Sequence, residues 1–212
     1  MERTFEKILV LSPHTDDAEL GCGGTLARFI EEDREVHVAA FSTCAESLPD
    51  GLPPDTLEHE WHASMEQLGV PESHRHLFRF PVRYFPQHRQ TILEHLIHFR
   101  DDLQPDLVFL PSSQDLHQDH QVIAMEGLRA FKGTSILGFE IPWNNILFET
   151  RSFIHLQEHH IQRKIAALKC YTSQSFRGYA RPEFIFSLAR TRGVQIEVPY
   201  AEVFEAIRWI IR

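Results

Sequence analysis

The chain has 212 residues, 42% hydrophobic and 24% charged, a balance that suits a single globular domain over residues 1–212 and excludes a disordered chain. A formal charge of −9 with no cluster of Lys and Arg argues against nucleic acid as a partner, and no apolar run approaches the roughly 20 residues of a membrane helix. Three widely spaced cysteines give no disulfide scaffold and the N-terminal stretch lacks a signal-peptide core, so a reducing, cytoplasmic setting is expected.

Residues 7–12 (Lys-Ile-Leu-Val-Leu-Ser) form a continuous apolar run of the length of a buried parallel strand. Turn chemistry occupies 13–17, and Gly21, Gly23 and Gly24 lead into a helical pattern with Leu26, Ala27, Phe29 and Ile30 on its apolar face. Residues 36–41 read as a second strand. The stretch 45–55, with Pro49, Gly51, Pro53 and Pro54, reads as a loop long enough to overhang a site. Leu57, Trp61, Met65 and Leu68 recur at helical spacing up to Gly69; a third helix follows over 91–103 and another short buried strand over 107–111. Beyond these, the pattern predicts a helix over 121–131, a strand over 135–141, a helix over 157–171, a strand over 184–189 and a closing helix over 200–211. Strands alternating with helices imply an α/β domain on a mostly parallel sheet.

In open α/β sheets ligands collect beyond the carboxyl ends of strands. Two chemistry-bearing segments fall there: His14-Thr15-Asp16-Asp17 after the first strand, and His117-Gln118-Asp119-His120 after the strand at 107–111. Imidazole and carboxylate suit a borderline cation such as Zn²⁺, and a catalytic zinc site uses three protein ligands and leaves a position for water. Asp16 and Asp17 are adjacent, so in a tight turn they diverge: one can bind metal while the other takes a proton from water. The plainer alternative is that one of them caps the next helix.

His-x-x-His recurs at His59/His62 and His95/His98, inside helical patterns and opposite their apolar faces, and these four read as solvated surface histidines. His117 and His120 differ in following a buried strand and in enclosing Asp119, a carboxylate able to hold a ring N–H. The Gly21-x-Gly23-Gly24 run invites a dinucleotide reading. Leu26 stands where the third glycine belongs, however, and Ser42-Thr43-Cys44 follow the second strand where an acid is needed, so tight turns and close packing are the plainer use. Cys22 reads as a buried small residue, and Trp143-Asn144-Asn145 serve equally well as pocket lining or as ordinary loop packing.

The run Pro13 to Asp17, the turn Gly21 to Leu26 and the distal His117 to His120 together resemble the PIG-L/LmbE-like deacetylase family, relatives of the phosphatidylinositol-glycan, mycothiol and bacillithiol biosynthetic deacetylases. Echoes in residues 63–70, 164–174 and 200–204 extend the likeness over nearly the whole chain. The resemblance implies a Rossmann-like three-layer fold and a zinc-dependent hydrolase that removes an N-acetyl group from an N-acetylglucosamine-type amino sugar or its conjugate, with a homo-oligomer among the forms relatives take. It further implies that His14, Asp17 and His120 hold Zn²⁺, that Asp16 is the general base, that His117 as a cation stabilises the oxyanion or protonates the leaving amine, and that Asp119 orients a histidine. Thr15 replaces the family's usual proline. Leu57, three residues before Glu60, stands where many members carry an arginine, which points to a different substrate. Two other functions fit the same residues less fully: hydrolysis of another small amide or a carbamoyl group, and a silent sugar or nucleotide receptor, which would need neither Asp16 nor His117.

Overall fold

The computed structural model describes residues 5–211. The start of the N-terminal stretch read above for a leader, residues 1–4, lies outside them. Alternate residues of the opening strand, β1 (Lys7–His14), enter opposite cores. Ile8 and Val10 pack with Leu26, Phe29, Trp61 and Met65, whereas Leu9 and Leu11 pack with Ile92, Leu96, Val122 and Ile123. A strand buried on both faces needs apolar side chains at every position, which is why the run is continuous rather than alternating. The result is three layers. Helices α1 (Asp17–Glu31), α2 (Thr56–Leu68), α5 (Glu158–Leu168) and α6 (Pro182–Val194) cover one face of the sheet, and α3 (Arg89–Leu103) and α4 (Gln118–Ala130) cover the other.

The other strands are β2 (Glu35–Ser42), β3 (Arg75–Leu77), β4 (Leu107–Pro111), β5 (Ser135–Phe139), β6 (Ser152–Leu156) and β7 (Tyr200–Arg208). They lie in the order β3-β2-β1-β4-β5-β7-β6, parallel from β3 to β5 and antiparallel where β7 joins β5 and β6. The chain leaves β1 toward β2 on one side and returns to β4 on the other. The β1/β4 boundary, where Ile8 pairs with Leu107 and Val10 with Phe109, is therefore the topological switch point at which such sheets bind ligands. No helix among the described residues is long and apolar enough to cross a membrane.

The C-terminal third departs from the sequence expectation. Residues 184–189 are helical within α6, not a strand: Pro182 opens the helix and Ile185, Ala189 and Gly193 form its buried stripe, a period the β-formers Phe184 and Phe186 disguise. Residues 200–208 form β7, not a helix. Val203, Phe204, Ile207 and Ile211 mimic helical spacing, but the open edge of β5 recruits the segment, and sheet pairing overrides local pattern. Strand β3, with three residues, is too brief to leave a periodic signal, and β6, half-buried at four of its five positions, lacks the unbroken apolar run of β4.

Helix α1 begins at Asp17, earlier than expected, so the glycines lie inside it and not in a turn. It kinks at Cys22 (φ −146°, ψ 18°), and close packing is the part of the glycine reading that holds. A Cβ on Gly21 would overlap the Phe139 ring, and one on Gly24 would stand 2.6 Å from Leu156 Cδ1. Cys22 is buried, as expected, and its thiol donates to Ala18 O at 3.2 Å.

A candidate metal centre at the β1/β4 switch point

His14 ends β1, and Asp16 and Asp17 open α1. The distal histidines differ from expectation in setting: α4 begins at Gln118, so His117 is its N-cap and His120 sits in its first turn. Three atoms converge. His14 Nδ1 and Asp17 Oδ2 are 3.0 Å apart, His120 Nε2 and Asp17 Oδ2 3.1 Å, and the two nitrogens 3.2 Å. Each ring is held from behind: His14 Nε2 lies 3.0 Å from Asp119 Oδ2, and His120 Nδ1 lies 2.8 Å from Asp115 Oδ2. These partners place the ring protons on the outer nitrogens and turn both lone pairs toward Asp17 Oδ2. Asp119 thus pairs with the histidine 105 positions away rather than with one of its own segment. It is itself held by the amide N–H groups of Arg83 (2.5 Å) and Phe85 (3.2 Å).

An acceptor-only cluster of this kind calls for positive charge. Burial would depress His120, but Asp17 and Asp115 outweigh it and raise the ring to about 10. Burial acts the same way on His14, and Asp17 with Asp119 again raises it. Burial would raise Asp17, yet His120 and His14 hold it well below the usual carboxylate range. The same electrostatics would be met by a divalent cation. With zinc–ligand bonds of about 2.0–2.2 Å, donors on a tetrahedral ion stand roughly 3.3–3.5 Å apart. The observed triangle is that size with little adjustment, so the donor set fits zinc. His117 belongs to a looser grouping, its nitrogen lying within 4.8 Å of those of His14 and His120.

The two adjacent aspartates do diverge. Asp17 turns into the triangle, and Asp16 faces a cavity of about 300 Å³ also lined by His14, His117, His120, Leu57 and Val82. Asp16 is the N-cap residue of α1, but its side chain makes no cap hydrogen bond, so the capping alternative is not realised. Desolvation, with Asp17 beside it, raises Asp16 to about 6. His117 departs from the expected cation: desolvation and the neighbouring His14 and His120 lower it to about 4. Its Nδ1 accepts the Asp119 N–H (3.2 Å), which leaves Nε2–H as a neutral donor.

Sequence reasoning missed Asp115, Gln174, Arg177 and Tyr179, and left Trp143 and Asn144 undecided. All but Asp115, which stands behind His120, line the cavity. Asp115 stands two residues before His117, near enough to have been weighed; the others come from loops beyond β5, where sequence carries no sign of proximity. The other His-x-x-His pairs stay apart from the site. His59 is exposed as expected, but His95 is half-buried against Phe78 and Phe80, with ring centroids 4.6 and 5.9 Å away.

The family model for GlcNAc-PI de-N-acetylase, PIG-L, matches residues 9–131, which hold both segments of the site. The chain belongs to the PIG-L family. Among its relatives, an uncharacterized deacetylase of Escherichia coli K12, YaiS, is 31% identical over 172 residues, covering 78% of this chain and 90% of that protein. The N,N′-diacetylchitobiose deacetylase of Pyrococcus horikoshii shares the fold at a TM-score of 0.80 and 20% identity, over 95% of this chain and 83% of the other. GalB of Pseudomonas putida KT2440, a 4-carboxy-2-hydroxymuconate hydratase, matches at 0.79 and 21%, over 97% and 98%. A PIG-L fold is thus shared by a deacetylase and a hydratase, so the reaction has to be read from the residues.

One buried acid beneath the PIG-L site carries a prediction. Glu19 is fully buried in α1, and its Oε1 lies 2.5 Å from Ser64 Oγ and 2.6 Å from Tyr171 OH. Tyr171 has one hydroxyl hydrogen and a second acceptor, Thr15 O, in reach, so a protonated Glu19 completes the count by donating to the tyrosine. Burial raises Glu19 to about 8 despite the hydrogen bonds. A carboxyl raised on folding contributes its stability fully below the unfolded value near 4.5 and loses it as pH climbs toward 8. Glu19→Gln copies the protonated acid. Thermal melts should show the variant near wild type at pH 5 and more stable by roughly 1–3 kcal/mol at pH 8. A difference that does not change with pH would mean that Glu19 is ionised in the fold.

Proposed function

We propose that this PIG-L protein is a zinc-dependent N-deacetylase acting on an N-acetylated amino sugar or a conjugate of one. The observation that carries the reading is the His14–Asp17–His120 triangle with a second carboxylate, Asp16, that makes no helix-cap bond and lines the cavity directly beside it. A receptor needs no such carboxylate. His14, Asp17 and His120 are assigned to the metal, which when bound would polarise a carbonyl and make a water more acidic.

The chain's own residues do the rest. Asp16 accepts the proton of the attacking water, and a carboxyl near 6 is basic enough to take it and acidic enough to return it to the departing amine. The neutral Nε2–H of His117 donates to the oxygen that gains charge as the acyl carbon becomes tetrahedral. Asp119 and Asp115 keep His14 and His120 in the tautomers that face Asp17. Leu20, Leu57 and Val82 form an apolar wall that limits bulk water around these charges.

The test is metal analysis of the purified protein together with an acetate-release screen of N-acetylated sugars, free and nucleotide-linked. One zinc per chain and acetate from at least one sugar are expected. Removing zinc with a chelator should abolish release and lower the melting temperature, since free metal at a hundred times its dissociation constant stabilises the fold by about 2.7 kcal/mol. Release unaffected by complete zinc removal would end the assignment.

A further inference from the structure

Arg177 is the one lysine or arginine among the described residues lining the cavity, and a hydrogen bond and two ring contacts hold its side chain. Glu60 of α2 accepts from Thr172 Oγ1 (2.8 Å), Ser173 N–H (2.8 Å) and Ser173 Oγ (2.6 Å), which pins the loop that carries Arg177. Gln174 Oε1 takes the Arg177 Nε–H at 2.7 Å. The guanidinium carbon stands 5.4 Å from the Phe176 ring and 5.6 Å from the Tyr179 ring, and Tyr179 in turn stacks on Trp143 at 3.9 Å. Rings cover the guanidinium and a glutamine holds its Nε edge. The terminal amino groups enter none of the ion pairs found among the described residues, although the Tyr179 hydroxyl is within hydrogen-bonding reach of the guanidinium and Asp16 is near enough to feel its charge. A planar cation held this way is preorganised for a carboxylate or phosphate, because its side-chain entropy is already spent before the anion arrives.

The position also answers the Leu57 departure. Leu57 lines the same cavity as apolar wall, one turn before Glu60, so α2 supplies no charge there and instead anchors the loop that does. We propose that Arg177 is the specificity-determining contact for an acidic group, phosphate or carboxylate, on the amine-bearing half of the substrate. The inference rests on the deacetylase reading above and narrows it to anionic amino sugars. The cavity is at the small end for ligand sites, which suits one sugar unit with its acidic substituent rather than a long chain.

The test uses the zinc-loaded full chain, as wild type, Arg177→Gln and Arg177→Lys. Acetate release is compared for N-acetylglucosamine 1-phosphate, its 6-phosphate, N-acetylmuramate and the uncharged methyl N-acetylglucosaminide. Calorimetry on the matching deacetylated sugars reads binding without turnover. Wild type should favour one anionic sugar over the neutral glycoside by ten- to a hundredfold, the range of a charge-assisted contact, with the difference in KM and Kd rather than kcat. In Arg177→Gln that ratio should collapse to within about threefold of unity, and Arg177→Lys should recover part of it. No anionic preference in wild type, or equal losses on charged and neutral sugars in Arg177→Gln, would overturn the proposal and leave Arg177 as a charge beside Asp16. Arg177-dependent anion binding with no acetate from any sugar would defeat the deacetylase reading and leave this subsite standing; neither binding nor turnover would overturn both.

Discussion

Replacing Lys164 by methionine is expected to destabilise the fold by roughly 3–5 kcal/mol, the usual loss when one member of a buried ion pair is removed. The reason lies in the kink at Cys22. In an unbroken α1, Gly24 N–H would bond to Leu20 O and Thr25 N–H to Gly21 O. Instead both amides donate to the Glu202 carboxylate, at 3.0 and 2.7 Å, and Lys164 Nζ takes Leu20 O at 2.7 Å. Lys164 Nζ and Glu202 Oε1 close the circuit at 2.7 Å, with both side chains almost wholly buried. Lysine and glutamate thus stand in for the helix bonds that the kink removes, and they tie α1 to α5 and β7. Methionine keeps the stem that packs on Gly23 but leaves a buried carboxylate without its cation and Leu20 O without a donor. Denaturant melts of Lys164→Met, Glu202→Gln and the double variant give the coupling; the double variant should be less damaged than the sum of the singles. A single-variant loss under about 1 kcal/mol would show that water replaces the ammonium.

The same pair marks where sequence reading stops. Lys164 and Glu202 fell in two stretches that echo the family, but nothing local says that a lysine on one helix meets a glutamate 38 positions later. The N-terminal half was legible because its signals are local. Residues 8–11 are apolar at every position, as a strand buried on both faces requires, and Gly69 in the left-handed conformation (φ 85°) ends α2 where the periodicity stops. Beyond residue 180 the local signals point the wrong way, since the spacing of Val203, Phe204 and Ile207 is helical and only the open edge of β5 decides otherwise. The site shows the same division. His14, Asp16 and Asp17 announce themselves by following β1. The partner that sets the tautomer of His14, Asp119, depends on β4 lying against β1, whereas Asp115 stands only five positions before His120, within local reach. Residues of one crevice are readable when they share a turn, and unreadable when only the sheet order brings them together.

Asp16→Asn should lower acetate release by about two to four decades while zinc stays bound at one per chain. The asymmetry follows from the geometry of adjacent carboxylates. Asp17 Oδ2 lies within 3.1 Å of both histidine nitrogens and also accepts the His14 amide N–H at 2.9 Å, so the triangle is complete without Asp16. Asp16 makes no side-chain cap bond, faces the cavity and is held near 6 by desolvation and by Asp17. Asparagine has nearly the same shape, leaves the helix start intact and cannot accept a proton. The loss should therefore fall on kcat, with KM and zinc content close to wild type. Asp17→Asn should do the opposite and lower zinc occupancy, because it weakens the anionic corner of the triangle. Metal content and kcat measured on the same two preparations separate the roles. A zinc-loaded Asp16→Asn protein within tenfold of wild-type kcat would move the base to another group, and His117, which lines the same cavity, would be the next to replace.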